Sequence, residues 1–360
     1  MNILYAIQGT GNGHLSRARD IIPVLKKYGA VDILISGTES DVDLPYEIKY
    51  KFHGLCFVFG KKGGIDYVET YKRSKIKKFF KEIIQLPVLN YDLVFSDFEP
   101  VSSWACYFQN KSVIGLSHQV AVNHKSSPKP DKSDIIGKAV LKYYAPATYK
   151  FGFHFIPYDS HIFTPVIRQE VRELKSDDKG HITVYLPSFN AKRIIKCLAL
   201  FPDQRWQVFV KHTDIPYVIE NIQIFPINNE NFLSSMANAS GVLCGAGFET
   251  PAEALFLKKK LMVIPMKGQY EQQCNAAALN AMGVPVIKSL KRKNFQKISQ
   301  WLEHENVITI NYPNETDWII QNIIEEVTSK QKATKIPGKN IDSPIKFRKL
   351  LLKKIFFQNK

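Results

Sequence analysis

The chain alternates two patterns. Short apolar runs at residues 2–8, 31–36, 91–96 and 112–117 are interrupted by few polar positions, as expected of strands buried on both faces of a parallel sheet. Between most of them, residues 16–28, 71–86 and 99–109 place apolar side chains at helical spacing. This alternation predicts an α/β domain. A polar, proline-bearing stretch at 126–131 leads to a helix ending near Tyr144. The strand at 151–156 and the segment 157–165 mark a crossing between domains. A second series begins near His181, with strands at 182–186, 206–210, 222–225, 241–244, 261–264 and 284–287. Its helices are expected at 191–200, 231–237, 250–256, 271–281, 294–303 and 315–327. The expected organisation is two Rossmann-like α/β domains, 1–156 and 157–328, facing each other across a cleft. A basic, poorly ordered tail is expected at 329–360.

Length and composition agree. The 360 residues exceed one ordinary core, and 45% hydrophobic residues with 12% aromatic describe packed domains. Five cysteines without CxxC spacing fit reduced, buried thiols in a cytoplasmic protein. Met1 runs straight into a strand without a basic leader, so no signal peptide is expected. No segment reaches the about 20 apolar residues of a membrane span.

Net charge changes the picture more. At +16 the chain should attract anions. Lys72, Arg73, Lys75, Lys77, Lys78 and Lys81 are interleaved with Ile76, Phe79, Phe80, Ile83 and Ile84, and the basic run near Lys346–Lys354 repeats the pattern. Such basic amphipathic helices suit an anionic membrane surface. The plainer alternative is a solvated lysine face over an ordinary core stripe. A nucleic-acid partner is not expected, because the basic residues are interleaved with aliphatic stripes and no RNA- or DNA-binding motif is present.

Candidate chemistry sits behind the first strand, in Gly9-Thr-Gly-Asn-Gly-His14. A dinucleotide fingerprint needs a third glycine where His14 stands, and an acidic residue about 20 residues on. Glu39 comes too late. A P-loop needs Lys after its last glycine, and none follows Gly13. The third reading is a tight turn that presents His14 to a substrate hydroxyl. Ser96-Asp97-Phe98-Glu99-Pro100 closes a neighbouring strand, so Asp97 or Glu99 could approach His14 and set its tautomer. The competing role for either is a helix cap ahead of Pro100.

The most specific signal is Leu243-Cys-Gly-Ala-Gly-Phe-Glu-Thr-Pro-Ala-Glu-Ala-Leu255, followed by Ile264 to Ala277 with Gln272-Gln273. A strand, Gly245-x-Gly247 and a helix carrying Glu253 make an anion cradle with a carboxylate one turn in. Asp41-Val-Asp43 is formally a metal-binding Asp-x-Asp, but it lies in an early polar loop. The histidines show no metal-ligand spacing.

On these motifs the chain resembles the GT-B glycosyltransferases, especially those related to the MurG-type N-acetylglucosaminyltransferases. The resemblance covers both domains and is strongest at 9–17 and 225–285. It implies a nucleotide-sugar donor, taken as UDP-sugar, with no cofactor and no metal. It implies acceptor-side roles for Gly11, Asn12, Gly13, His14 and Arg17. Glu99 and His118 are further cleft candidates. On the donor side it implies Glu253 on ribose, Gln272 and Gln273 on the sugar, Arg168 after Pro165 on the diphosphate and Ser188 on a phosphate. Gly245, Ala246, Gly247, Phe248, Glu249 and Thr250 form the cradle, and backbone at 226–230 meets the base. Gln8-Gly9 departs from the family's Gly-Gly on the acceptor side, and Pro187 and Phe189 flank Ser188 where the family has glycines. The implied reaction is inverting transfer to a glycan or lipid-linked acceptor at the inner membrane face, with His14 as base oriented by Asp97. A nucleotide-sugar hydrolase or 2-epimerase on the same fold is the alternative reaction.

Overall fold

The computed structural model describes residues 1–37, 44–55, 75–132, 134–211, 213–305 and 307–333. Asp41, Asp43, Lys72, Arg73 and the basic run near 346–354 lie outside them.

The amino-terminal half is built from β1 (Asn2–Gln8), α1 (Asn12–Lys26), β2 (Ala30–Ser36), β3 (Tyr50–Phe52), α2 (Ile76–Gln85), β4 (Leu93–Asp97), α3 (Pro100–Phe108), β5 (Ile114–Leu116), α4 (His118–Asn123), α5 (Ile135–Tyr143), β6 (Tyr149–Phe153) and β7 (Ile162–Phe163). The strands form one parallel sheet in the order β3-β2-β1-β4-β5-β6-β7. Alternate residues of β1 feed different cores. Ile3, Tyr5 and Ile7 join the cluster that continues into the other domain, whereas Leu4 and Ala6 pack with Phe79, Ile83 and Val101. This is why the run is apolar throughout.

The second half follows α6 (Gln169–Arg172) with β8 (His181–Tyr185), α7 (Ala191–Leu198), β9 (Arg205–Val210), β10 (Tyr217–Ile219), β11 (Ile222–Pro226), α8 (Asn229–Ala237), β12 (Gly241–Gly245), α9 (Glu249–Phe256), β13 (Lys260–Ile264), α10 (Tyr270–Ala281), α11 (Phe295–Glu303) and α12 (Thr316–Ala333). Its sheet order is β10-β11-β9-β8-β12-β13, parallel except for the β10–β11 pair. The α/β organisation expected from the sequence is therefore present twice.

Several boundaries differ from the sequence expectation. α1 begins at Asn12, not at 16, so His14 stands on its first turn. The strand expected at 112–117 is shorter, Ile114–Leu116, and His118 begins a short helix capped by Ser117. Residues 284–287 contribute one bridge, Val263 with Val286, and no full strand. The expected tail begins inside a helix, because α12 runs on to Ala333. That helix returns to the first domain, where Gln331 Nε2 donates to Ser112 Oγ at 2.7 Å and Asp317 pairs with Lys27.

Each sheet reverses its strand order once in the middle. β1 lies between β2 and β4, and β8 between β9 and β12. Open α/β sheets bind ligands outside the carboxyl ends of their strands at such switch points. The loops there are Gly9–Gly11 and the Asp97 turn in one domain, and Ser188 and Gly245–Gly247 in the other.

Candidate active site

Gly11, at φ 96°, occupies the left-handed region that favours glycine and turns the chain from β1 into α1. No side chain caps this helix. His14 and Arg17 are three residues apart and share one helix face. The end of β4 supplies their partner. Asp97 is fully buried, and its Oδ1 accepts from His14 Nδ1 at 2.8 Å. Arg17 Nη2 donates to both Asp97 oxygens, at 2.9 and 2.8 Å. Burial disfavours the charged imidazole, but the Asp97 carboxylate outweighs it and raises the His14 pKa above its ordinary value. Burial also opposes ionisation of Asp97, and the Arg17 and His14 charges more than compensate, lowering its pKa.

Glu99 has a different fate. Its carboxylate accepts from Val101 N at 2.7 Å, Ser102 N at 2.6 Å and Ser36 Oγ at 2.5 Å. It is the N-cap of α3, fully buried, and those contacts commit it to the cap and to Ser36 in place of the cleft role expected from the motif. The turn explains the difference. Phe98 has φ 55°, a left-handed conformation uncommon for a bulky residue, and it separates Asp97, which bonds His14, from Glu99, which folds back over its own helix.

The facing domain presents the cradle. No side chain caps α9, so its first-turn N–H groups and the positive dipole end are offered to an anion. A Cβ on Gly247 would meet nothing within 4 Å, and one on Gly245 would meet only Gln272 Oε1 at 3.8 Å. The glycines border open space of the kind a diphosphate needs. Gln272 Oε1 accepts from Met266 N at 2.8 Å, which fixes this side chain beside Gly245. Gln273 is half-buried on α10, and Ser188 is exposed in the turn after β8. Ala246 and Phe248 are buried, while Thr250 is half-buried in the first turn of α9. Replacing Gly247 by alanine should change stability by no more than about 0.5 kcal/mol, yet weaken nucleoside-diphosphate binding roughly tenfold or more. Paired melting and calorimetric titrations check this; unchanged binding would exclude the cradle as the anion site.

Arg168 and Glu253 come together as one pair. Arg168 Nε and Nη2 grip the two Glu253 oxygens at 2.5 and 2.8 Å, and Nη1 donates to Glu170 and Asn229. Burial raises the Glu253 pKa against the pull of Arg168. The guanidinium is thus held at the cleft edge by the carboxylate expected to meet ribose.

The two halves touch at the site. Arg17 Nη1 donates to Glu249 Oε1 at 2.7 Å, and a Cβ on Gly13 would overlap that carboxylate. His118 stacks on Phe248 with ring centroids 3.8 Å apart. Its Nδ1 faces Phe153 O at 2.9 Å and its Nε2 faces Asn275 Oδ1 at 2.8 Å. Burial lowers the His118 pKa. It is a domain-packing residue, with 1% exposure and both ring nitrogens engaged. Glu271 and Asn275 at this junction lie within the 264–277 stretch, which the sequence singled out for Gln272 and Gln273, whereas Gln119 carries no motif that would flag it. The Ser117 cap that opens α4 beside Gln119 is the one local signal.

A family model described as glycosyl transferase family 1 matches residues 1–304. Among solved structures, MurG of Acinetobacter baumannii is 14% identical, with 90% of this chain and 99% of that chain covered and a TM-score of 0.55. The glycosyltransferase SsfS6 of Streptomyces sp. SF2575, solved with thymidine diphosphate, is 13% identical, with 91% and 99% covered and a TM-score of 0.53. CalG4, the calicheamicin glycosyltransferase, is 12% identical, with 92% and 99% covered and a TM-score of 0.52. These similarities establish the two-domain GT-B fold. Curated protein sequences yielded no match.

Proposed function

The chain belongs to glycosyl transferase family 1, and from that premise we propose inverting transfer of a sugar from a nucleoside-diphosphate sugar to an acceptor hydroxyl. The observation that carries this reading is the pairing of sites across the cleft. A His14–Asp97 dyad ends one sheet, an open glycine cradle ends the other, and Arg17–Glu249 joins them. His14 Nε2 removes the acceptor proton as the acceptor oxygen attacks the anomeric carbon. The leaving diphosphate gains charge, which the α9 amides and Arg168 neutralise without a metal. Glu253 orients Arg168 and meets the ribose, and Gln272 and Gln273 meet the donor sugar. Uridine is the favoured base. The thymidine diphosphate bound by SsfS6 makes that nucleotide the first competitor to compare.

The acceptor is taken to be a glycan or a lipid-linked sugar at an anionic membrane face. Support comes from α2, where Lys77, Lys78 and Lys81 are exposed beside Ile84 and Leu89, which are 71% and 63% exposed. Phe79 and Ile83 of the same helix are instead buried in the core, so only part of the amphipathic stripe remains outward. No helix among the described residues is long and apolar enough to cross a membrane.

A thermal-shift screen of UDP- and TDP-sugars tests the reading. The correct donor at about 100 times its Kd adds about 2.7 kcal/mol, and acceptor should be required for nucleoside-diphosphate release. Rapid release without acceptor would favour the hydrolase or epimerase, and no stabilisation by any nucleotide sugar would remove the donor site.

A further inference from the structure

Gln119, at the start of α4, joins three elements. Its Nε2 donates across the cleft to Glu271 Oε2 at 3.1 Å and reaches His14 Nε2 at 3.4 Å. A carboxylate only accepts, so Glu271 decides which end of the amide is nitrogen. His14 Nδ1–H is committed to Asp97, so Nε2 carries the lone pair that faces Gln119. The other end of the amide, Gln119 Oε1, is buried with no hydrogen-bond partner, in a residue only 6% exposed. A buried carbonyl of this kind calls for a donor. It lies on the same planar amide as the nitrogen beside the base.

We propose that Gln119 selects the acceptor as a vicinal diol: Oε1 receives a hydrogen bond from the hydroxyl next to the one that His14 deprotonates. This deepens the reading of His14 as base and rests on it. An acceptor hydroxyl that takes the His14 Nε2 lone pair displaces the Gln119 N–H, which then donates to that same oxygen. The amide's two polar atoms sit on one carbon, and a diol's two oxygens sit on adjacent carbons, so the pair match as bidentate partners. Glu271, from the opposite domain, holds the amide plane when the cleft is closed. An isolated hydroxyl fills only half of this arrangement and leaves Oε1 unpaired.

The test uses the ligand-free full chain with 15N-labelled histidine. The Nε2 resonance of His14 is followed while trans-cyclohexane-1,2-diol or cyclohexanol is added. The groups charged around this ring are Asp97 on β4, Arg17 on α1 and Glu249 on α9, and all stay unchanged. In the wild type the diol should move the signal at a concentration lower by about tenfold, the worth of one added hydrogen bond. Gln119→Met should erase the preference while keeping the cyclohexanol response. It should also raise the His14 pKa by up to about one pH unit, because a donor favouring the neutral ring is lost. If that variant does not fold, Gln119→Leu is read in the same way. Equal or absent responses to both probes in the wild type, or a diol preference that survives the substitution, overturns the proposal. If His14→Ala loses transfer but the wild type shows no diol preference, this inference alone fails. Transfer that survives in His14→Ala sinks the base assignment beneath it.

Discussion

His14→Ala is expected to slow sugar transfer by about 10²- to 10⁴-fold, the usual contribution of a positioned general base, while leaving nucleoside-diphosphate affinity within about twofold. The two effects separate because the imidazole is on α1 of one domain and the anion cradle is on α9 of the other. The pH profile carries the same assignment. Catalysis needs neutral Nε2, and Asp97 raises the His14 pKa. The acid limb of kcat/KM should therefore lie above the ordinary imidazole value of about 6.5, with the rate rising as pH increases through it. Steady-state rates across pH and titration calorimetry with the nucleotide measure both. A variant with an unchanged rate and intact binding would remove His14 from the chemistry.

Asp97→Ala should be the most destabilising single change at the site. It takes away the acceptor for both Arg17 and His14 and leaves a guanidinium that is 2% exposed with Glu249 as its remaining ionic partner. Removing one member of a buried charge pair costs about 3–5 kcal/mol, measurable as a lower urea midpoint with an unchanged slope. The pH dependence should change with it. Because the folded Asp97 pKa is lowered, its stabilisation is complete above the unfolded value and disappears as pH falls through the folded one. His14 has the opposite sign. Its folded pKa is raised, so its contribution is complete below the unfolded value and disappears as pH rises through the folded one. Both are present together in the interval between about 4 and about 6.5. In Asp97→Ala the Asp97 slope should vanish and the His14 slope should reverse, because burial and Arg17, no longer opposed by that carboxylate, lower the His14 pKa. Asp97→Asn keeps an acceptor for Nδ1–H but turns an amide N–H toward Arg17, so it should lose most of the stability despite its equal size. Retention of wild-type stability in both variants would show that the network contributes no more than a surface ion pair.

Much of this site was legible in local sequence. Gly11 turns the chain into α1, and Gly245 and Gly247 border the open cradle, as the motifs suggested. Asp97 and Glu99 show where local reading stops. Both are acidic, both precede Pro100, and either could cap or catalyse. The left-handed backbone at Phe98 divides the roles, and a phenylalanine gives no warning of it. Arg17 was expected to touch substrate, whereas the structure commits it to Asp97 and Glu249.

The sequence by itself determined most of the elements and their class, though not β3, β7 or β10, because apolar periodicity and glycine placement act over a few residues. It placed two strand-turn-helix units and two largely parallel sheets. Only the tertiary structure decided the partners. His14 meets Asp97 across 83 residues, Arg17 meets Glu249 across 232, and Gln119 meets Glu271 across 152. These contacts form when the switch points of two sheets come face to face. In that closed space a charge without a partner is too costly to bury, so the packing of the domains, not the motif, settles which charged groups pair.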